Sequence, residues 1–372
     1  MSAGGGPDVN LDAIAAAIGD EDAALSVDLD GSWSPEPLLN VHVLDQGAVA
    51  TAARSVFGSR GEFDRLLPVF QNAGVARRYS CVPIEWYESD HSWAERNKLY
   101  VANAVALLES AARVCLDRAG RDFDEVDAIV TVSTTGISTP SLDALLMDRL
   151  PFRRDMTRLP VFGLGCAGGV LGLSRAAALA RAGAGTVLFL VVELCALTFR
   201  RGDQSKSNII AAALFGDGAA AAFIEPDGDG PALAAWGEYT WPDSLDVMGW
   251  HVEDDGLGVL FSRDIPTLVR TQFRLALDQF LARRQLDLGD IDTFICHPGG
   301  AKVITALEEA FALPAGSLDD AREILRSHGN MSAATVLFVL ERMLAGAENR
   351  ALLTALGPGF TAAFLTLEHG RA

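Results

Sequence analysis

The strongest constraint on the fold is that the chain repeats itself. Three pairs of segments occur in the same order in both halves: 126–130 (VDAIV) and 291–295 (IDTFI); Cys166 and Asn330, each with the helical pattern that follows it; and 216–224 (GDGAAAAFI) and 357–365 (GPGFTAAFL). The first two pairs have nearly the same separation, whereas the third is closer, so the second half is shorter there. The repeat predicts two related halves with Cys166 and Asn330 in equivalent positions. It also predicts a site where the halves meet, a usual place for a pocket.

Cys166 lies in a glycine-flanked turn (GLGCAGG) between a strongly apolar stretch and an alanine-rich helical pattern from Leu171 to Arg181. Glycines permit a tight turn and leave room for a substrate. A helix N-terminus favours the thiolate, which is the nucleophilic form of cysteine. The pattern therefore predicts a nucleophile, although a buried structural cysteine in a glycine-rich turn fits it equally well.

Two further turns place polar residues among small ones, at 295–300 (ICHPGG) and 328–334 (HGNMSAA). A cysteine nucleophile needs a base or a cation, usually histidine. An anion that develops on a thioester carbonyl needs hydrogen-bond donors, which His297 and Asn330 supply. Read singly, His297 could be a core histidine and Asn330 a turn residue. Together with Cys166 they predict a Cys/His/Asn catalytic set.

With these turns the sequence resembles the type III polyketide synthases, the chalcone-synthase-like enzymes of the thiolase superfamily. The resemblance runs from about Gln46 to Leu367, and it rests on matching segments at 161–170, 214–221 (LFGDGAAA), 296–300, 329–340 (GNMSAATVLFVL) and 357–359. It implies an α/β thiolase-like fold whose two duplicated halves form five layers, αβαβα. We expect a partly disordered acidic segment at 1–38, an N-terminal half at 39–228 with the cysteine, and a C-terminal half at 229–372 with the histidine and asparagine.

The resemblance also implies a mechanism. Cys166, as a thiolate paired with protonated His297, would take an acyl group from an acyl-CoA starter. Malonyl-CoA would then lose carbon dioxide, and hydrogen bonds from His297 and Asn330 would stabilise the resulting enolate. The carbanion would attack the acyl group, the step would repeat, and the product would cyclise. No metal or redox cofactor is implied, and a homodimer is.

Other family positions imply a substrate pocket. Phe215 matches a gatekeeping phenylalanine, and Val259 replaces a second one, which would widen the passage. The remaining pocket positions are Thr134, Cys195, Thr198 and Trp250, the last of which is glycine in plant relatives. Of three basic positions near the CoA phosphates only Arg65 matches, because the others fall on Pro68 and Asn72. Lys302 could compensate, or could be a solvated helix charge.

The segments 77–97 and 133–144 resemble the bacterial branch that makes alkylresorcinols and alkylpyrones, which implies medium- or long-chain acyl starters. The nearest rival is a ketoacyl-carrier-protein synthase III, which shares the Cys/His/Asn set but condenses once. A rival of another class is a non-catalytic binding paralogue, which the intact catalytic set disfavours.

Composition narrows the remaining possibilities. A net charge of −19 disfavours nucleic acid and anionic membrane surfaces as partners. The five cysteines lack metal-type spacing and are odd in number, which fits a reducing cytoplasm. The longest apolar run, 186–199, is too short to span a bilayer and is predicted to be a buried central strand. We also predict a short helix over 12–18 and amphipathic helices over 87–119 and 267–283.

Overall fold

The protein alternates strands and helices along its length. A computed structural model describes residues 8–17, 41–58, 63–347 and 349–369. The strands are β1 (Val9–Ala17), β2 (His42–Asp45), β3 (Arg77–Ser80), β4 (Ala128–Val132), β5 (Thr157–Val161), β6 (Val187–Leu194), β7 (Asp217–Pro226), β8 (Ala232–Thr240), β9 (Met248–Glu253), β10 (Gly256–Phe261), β11 (Thr293–Cys296), β12 (Arg350–Gly357) and β13 (Thr361–Glu368). The helices are α1 (Gln46–Phe57), α2 (Phe63–Asn72), α3 (Trp93–Ala119), α4 (Leu142–Arg149), α5 (Gly168–Leu179), α6 (Lys206–Leu214), α7 (Ile265–Leu268), α8 (Arg274–Ala282), α9 (Ala301–Phe311), α10 (Asp319–His328) and α11 (Thr335–Leu344).

The central sheet confirms the duplication. Its strand order is β11-β12-β13-β8-β1-β7-β6-β4-β5. In each half a parallel pair (β4 with β6, β11 with β12) leads to an antiparallel pair (β6 with β7, β12 with β13) and then to a further antiparallel strand at the junction of the halves (β1 or β8). The two half-sheets meet at one bridge, between Asn10 and Ala232. The hairpin β9–β10 forms a separate two-stranded sheet.

The helix predicted over 12–18 is wrong, because Val9–Ala17 forms strand β1. This strand pairs with β7 along nearly its whole length and is the counterpart of β8. Asp12 interrupts the register as a bulge, and its carboxylate accepts a hydrogen bond from the Gly230 backbone N–H at 3.0 Å. The alanines at 15–17 favour a helix locally, but pairing with a distant strand overrides that weak preference.

The helices divide into a central layer and two outer layers. The helices α5 and α11 lie between the half-sheets and contact strands of both, while α3 covers β1, β6 and β7 on one outer face and α8 covers β8 and β13 on the other. This arrangement gives the five layers that the resemblance implies. Strand β6 is buried throughout, as predicted for the run 186–199.

The longest helix, α3, begins later than predicted, at Trp93. A capping box fixes this start, because the Ser92 side chain accepts from the Glu95 N–H while the Glu95 carboxylate accepts from the Ser92 N–H. In the described part of the chain it is the one helix long and apolar enough to cross a bilayer. Since 61% of its most apolar window is buried against the sheet, we read it as a core helix.

The central helices begin at equivalent 3₁₀ turns, Gly165–Ala167 before α5 and Ser332–Ala334 before α11. Asn330 therefore lies two residues before the turn that matches the Cys166 turn, so the positional equivalence predicted for Cys166 and Asn330 is only approximate. The two turns pack closely: a Cβ atom on Gly169 would lie 2.3 Å from the Ala333 carbonyl oxygen. Only glycine allows this approach, which brings the Cys166 turn against the second half.

Candidate active site

A cavity of about 590 Å³ is lined by residues of both halves, and Cys166, His297 and Asn330 all face it. Cys166 comes from the turn before α5, His297 follows β11, and Asn330 follows α10. All three are buried, with exposed fractions of 9%, 4% and 1%. The structure thus brings together the three residues that the sequence predicts as a set.

The Cys166 thiol is shielded from water. Burial raises its pKa to about 11, and nearby Glu193 adds to this effect. The side chains of Ser332 and Asn330 hydrogen-bond the sulfur and act in the opposite direction. The sequence analysis missed Ser332, although it lies two residues after Asn330 in the quoted motif.

The His297 ring lies in the cavity wall without a hydrogen bond from either nitrogen to any described residue. Burial lowers its pKa to about 3, so the imidazole is neutral at pH 7 and offers one N–H donor and one acceptor. Burial of both groups therefore works against the charge separation that the predicted thiolate–imidazolium pair requires. Both groups are removed from water, which penalises the charged state of each.

The Asn330 amide is held in one orientation. Its Oδ1 accepts from the Ser332 backbone N–H at 2.8 Å, and its Nδ2 donates to the Gly299 carbonyl at 3.3 Å. An amide nitrogen carries two hydrogens, so the second can bond either the Cys166 sulfur or a ligand bound beside it. The Asn330 backbone forms a parallel bridge with Phe215, in which Asn330 N–H donates to Leu214 O and Gly216 N–H donates to Asn330 O.

Thr134 lies beside the Cys166 turn and is not among the described residues that line the cavity, so its predicted place in the substrate pocket stays a prediction. Its Oγ1 accepts from the Gly165 N–H at 3.1 Å, and its own N–H donates to Glu193 Oε2 at 2.9 Å. Glu193 is fully buried, and burial raises its pKa to about 7. In the sequence, Glu193 is distinguished only as an acidic residue inside an apolar run.

Cys195, Thr198 and Phe215 line a second, smaller pocket of about 70 Å³ beside α1, and none of them lines the larger cavity. Opposite faces of α6 separate the two spaces, since Ile210 faces the larger cavity and Ala211 the smaller pocket. The substrate-pocket role that the resemblance implies for Cys195 and Thr198 stays a prediction.

Trp250 and Val259 are cross-strand partners in the hairpin β9–β10. Both pack against the cluster of Cys195, Ala211 and Phe215. The Trp250 ring meets the Phe215 ring edge to face, with centroids 6.2 Å apart. The expected widening at Val259 is therefore opposed by the indole on the neighbouring strand.

The solvent side of the cavity carries the positions predicted to bind CoA. Pro68, Asn72 and Lys302 line it, and Lys302 is exposed. The side chain of Arg65 lies outside the described residues. Two exposed cations that the sequence analysis did not single out, Lys206 and Arg263, also line the cavity. No motif marks them, since they come from distant parts of the chain.

The five-layered fold and a cavity between duplicated halves define an enzyme of the thiolase-fold class. Residues 83–228 match the N-terminal domain of the chalcone and stilbene synthases, and residues 235–368 match their C-terminal domain. The chain therefore belongs to the chalcone and stilbene synthase family.

Individual relatives support the same family assignment. The chain is 40% identical over 347 residues to a Bacillus subtilis (strain 168) protein that is provisionally named a chalcone synthase. The match covers 88% of this chain and 95% of that protein. The chain is 41% identical over 307 residues to the 1,3,6,8-tetrahydroxynaphthalene synthase of Streptomyces peucetius subsp. caesius, covering 80% and 81%. Among solved structures, the 1,3,6,8-tetrahydroxynaphthalene synthase of Streptomyces coelicolor A3(2), a bacterial type III polyketide synthase, superposes with a TM-score of 0.83 at 28% identity, covering 89% of this chain and 97% of that one.

The protein is thus a type III polyketide synthase, a condensing acyltransferase that acts on CoA thioesters without a cofactor. This finding decides against the single-condensing ketoacyl-carrier-protein synthase III.

Proposed function

We propose that the enzyme extends an acyl-CoA starter by repeated decarboxylative condensation with malonyl-CoA, with Cys166, His297 and Asn330 as catalytic residues. The observation that carries this proposal is that one cavity presents a buried thiol, an imidazole without a partner among the described residues, and an oriented amide. These are the groups that acyl transfer and enolate stabilisation require.

In the first step the Cys166 sulfur attacks the thioester carbonyl of the starter while neutral His297 takes the thiol proton. The bond between the carbonyl carbon and the CoA sulfur then breaks, and His297 returns the proton to the departing CoA. A histidine that starts neutral suits this role, because it can accept a proton only from that form. The acyl group remains on Cys166.

In the second step malonyl-CoA places its thioester carbonyl near His297 and Asn330. Breakage of the bond to the carboxylate releases carbon dioxide, and the electron pair forms an enolate that the His297 N–H and the second Asn330 Nδ2–H stabilise. The enolate carbon attacks the acyl carbonyl, and the Cys166 sulfur leaves. The chain is then two carbons longer and can return to Cys166 for another cycle.

The starter we propose is a medium- or long-chain acyl-CoA, and the product an alkylpyrone or alkylresorcinol. The cavity wall is largely apolar, with Phe261, Ile210 and Met248 among its residues. Each methylene buried there contributes about 0.8 kcal/mol of binding. A second candidate is the use of malonyl-CoA alone to make a small polyhydroxylated aromatic, which the packing of Trp250 against Phe215 and the 41% identical tetrahydroxynaphthalene synthase favour.

We further propose a cytoplasmic homodimer. All five cysteines are free, which suits a reducing compartment. Phe162, which directly follows the edge strand β5, and Ile137 are exposed apolar residues, with exposed fractions of 58% and 47%. Asp143 is fully buried nearby, and its Oδ1 has no partner among the described residues. An unpaired edge with exposed apolar side chains suits association with a second copy.

The test is a product analysis. Purified enzyme is incubated with malonyl-CoA and each of a series of starters from acetyl-CoA to hexadecanoyl-CoA, and products are identified by mass spectrometry. We expect alkylated products from the longer starters. A single product that is the same with every starter would support the second candidate. No product and no release of carbon dioxide from malonyl-CoA would contradict both.

A further inference from the structure

Arg78, on strand β3, is a buried cation at the end of α6, the helix that forms part of the cavity wall. Its exposed fraction is 2%. Burial lowers the pKa of its guanidinium to about 10, so the group is still charged at pH 7. Its described hydrogen bonds all go to oxygens of neutral groups. Since a buried charge is costly, the place of these contacts shows what the residue holds together.

The guanidinium closes the C-terminal end of α6. Its Nη1 donates to the carbonyls of Ala212 and Phe215, both at 2.8 Å, and its Nη2 donates to the carbonyl of Ala213 at 2.7 Å. The last carbonyls of a helix lack partners within it, and the helix dipole favours a cation beside them. Arg78 therefore fixes where α6 ends and how the chain leaves it toward β7.

The carbonyl between these acceptors belongs to Leu214 and is bonded by Asn330 instead. The Asn330 N–H donates to the Leu214 carbonyl at 2.8 Å, and the Gly216 N–H donates to the Asn330 carbonyl at 3.1 Å. Both backbone polar groups of Asn330 are thus bonded to the segment that Arg78 fixes. Because the amide of a side chain moves with its backbone, the end of α6 determines where the Asn330 amide lies.

The stem of Arg78 also lies beside this backbone bridge. A Cβ atom on Gly216 would lie 3.2 Å from the Arg78 Cβ atom, and one on Gly329 would lie 3.4 Å from it. The segment before β3 is tied to α10, since the Ala76 N–H donates to the Arg326 carbonyl at 2.7 Å. Arg78 is therefore close to both segments that form the bridge.

Gln46, the first residue of α1, orients the guanidinium. Its Oε1 accepts from Arg78 Nη2, and its Nε2 donates to the carbonyls of Phe70 at 2.8 Å and Ala213 at 3.0 Å. The pair of Gln46 and Arg78 thus connects the ends of α2 and α6 with the start of α1.

We propose that Arg78 is a positioning residue for Asn330: by closing the end of α6 it holds the backbone bridge, and with it the Asn330 amide, where the amide meets the developing enolate. This proposal rests on the role proposed above for Asn330 in decarboxylation. A displacement of about 1 Å can cost on the order of a hundredfold in rate. Arg78→Lys keeps the charge but loses the planar fork of donors that reaches several carbonyls at once.

The first measurement is a double-mutant cycle on carbon dioxide release from malonyl-CoA. We expect Arg78→Lys to lower kcat about tenfold or more with little change in KM, because the displaced donor acts on the transition state. In the Asn330→Ala background the same substitution should cost less than about twofold, since the side chain through which it acts is already absent. A merely structural loss would instead multiply with that of Asn330→Ala.

Two further variants frame this result. Gln46→Met removes the amide that orients the guanidinium and should lower kcat in the same direction by about threefold. Arg284→Lys is the matched control, because the Arg284 guanidinium donates to the carbonyls of Phe280 at 3.1 Å on α8 and Trp236 at 2.5 Å on β8. It should leave kcat and KM unchanged.

Hydrogen–deuterium exchange, measured by mass spectrometry of peptides, tests the bridge without turnover. Arg78→Lys should raise the exchange rate of the Gly216 and Asn330 amides about tenfold or more, because they lose a fixed partner segment. Strand β4 should keep its wild-type exchange, as should the whole of Arg284→Lys. If Arg78→Lys exchanges faster throughout the chain, the same comparison is made with Gln46→Met.

Unchanged exchange at the two amides would overturn the proposal. So would an unchanged kcat in Arg78→Lys, or an undiminished effect of that substitution in the Asn330→Ala background. A wild type that releases no carbon dioxide would contradict the proposed function, and the exchange rates alone would then decide whether Arg78 holds the position of Asn330.

Discussion

Trp250 on β9 and Val259 on β10 lie directly opposite each other. The largest side chain of the hairpin is therefore paired with one of its smaller side chains. Their side chains pack on the same cluster around Phe215. The bulk that a second gatekeeping phenylalanine would supply from β10 is supplied here from β9.

Trp250→Gly should therefore allow the enzyme to accept longer acyl starters. Removal of the indole opens space beside Phe215, and each further buried methylene then adds about 0.8 kcal/mol of binding. We expect the ratio of kcat/KM for dodecanoyl-CoA to that for acetyl-CoA to rise by about tenfold or more. Val252→Ala, an exposed position on the same strand, is the control. An unaltered ratio would show that Trp250 does not limit the starter.

Cys166→Ala should abolish condensation while malonyl-CoA is still decarboxylated. The donors on His297 and Asn330 remain, and only the acyl acceptor is lost. Carbon dioxide release and polyketide formation, measured in the same samples, separate the two steps. Polyketide formation by this variant would remove Cys166 from the role of nucleophile.

His297→Ala and Asn330→Ala should each lower the rate of decarboxylation on the order of a hundredfold or more, because each removes a donor from the developing enolate. His297→Gln keeps an N–H donor but cannot take a proton at neutral pH. It should retain more decarboxylation than His297→Ala and yet fail to load the starter, which mass spectrometry of the intact protein detects. Equal decarboxylation by the two variants would contradict the donor role.

Ser332→Ala should raise the pKa of Cys166 above its already elevated value near 11, because the Ser332 side chain hydrogen-bonds the sulfur and lowers that pKa. Alkylation by iodoacetamide should be slower than in the wild type at every pH from 7 to 10, with Cys166→Ala as the background for the other cysteines. Ser327→Ala removes a buried hydroxyl that bonds a backbone carbonyl on α10 and should leave the profile unchanged.

Glu193 should make the protein less stable as the pH rises. Burial raises its pKa from 4.5 to about 7, so the folded chain holds the proton more tightly than the unfolded chain. The contribution of protonated Glu193 to the free energy of unfolding is complete below pH 4.5 and is lost as the pH rises through 7. Between pH 5 and pH 8 the free energy of unfolding should fall further in the wild type than in Glu193→Gln, by on the order of 1–3 kcal/mol. Urea unfolding at both pH values tests this, and Glu253→Gln, at an exposed acid, should follow the wild type.

The repeat and the family resemblance were sufficient for the fold, and the three cavity turns were found because each carries its own signal, a polar residue among glycines and other small residues. Strand β1 was missed because its stabilising partner, β7, lies some two hundred residues away, while its alanines favour a helix locally. The pKa shifts of Cys166 and His297 follow from burial, which no local motif reports. Lys206 and Arg263 were missed for a related reason, since only the fold brings α6 and the β10–α7 turn to one cavity.

The backbone bridge between Phe215 and Asn330 has a consequence for how such an enzyme can change its substrates. Any movement of the Phe215 backbone also displaces the amide that would hold the enolate, so the main sheet offers little freedom to reshape the passage without loss of rate. The hairpin β9–β10 is hydrogen-bonded to no other strand among the described residues. Substitutions in this hairpin can alter the space around Phe215 while the reacting groups keep their geometry. New starter preferences can therefore arise there with the least loss of rate.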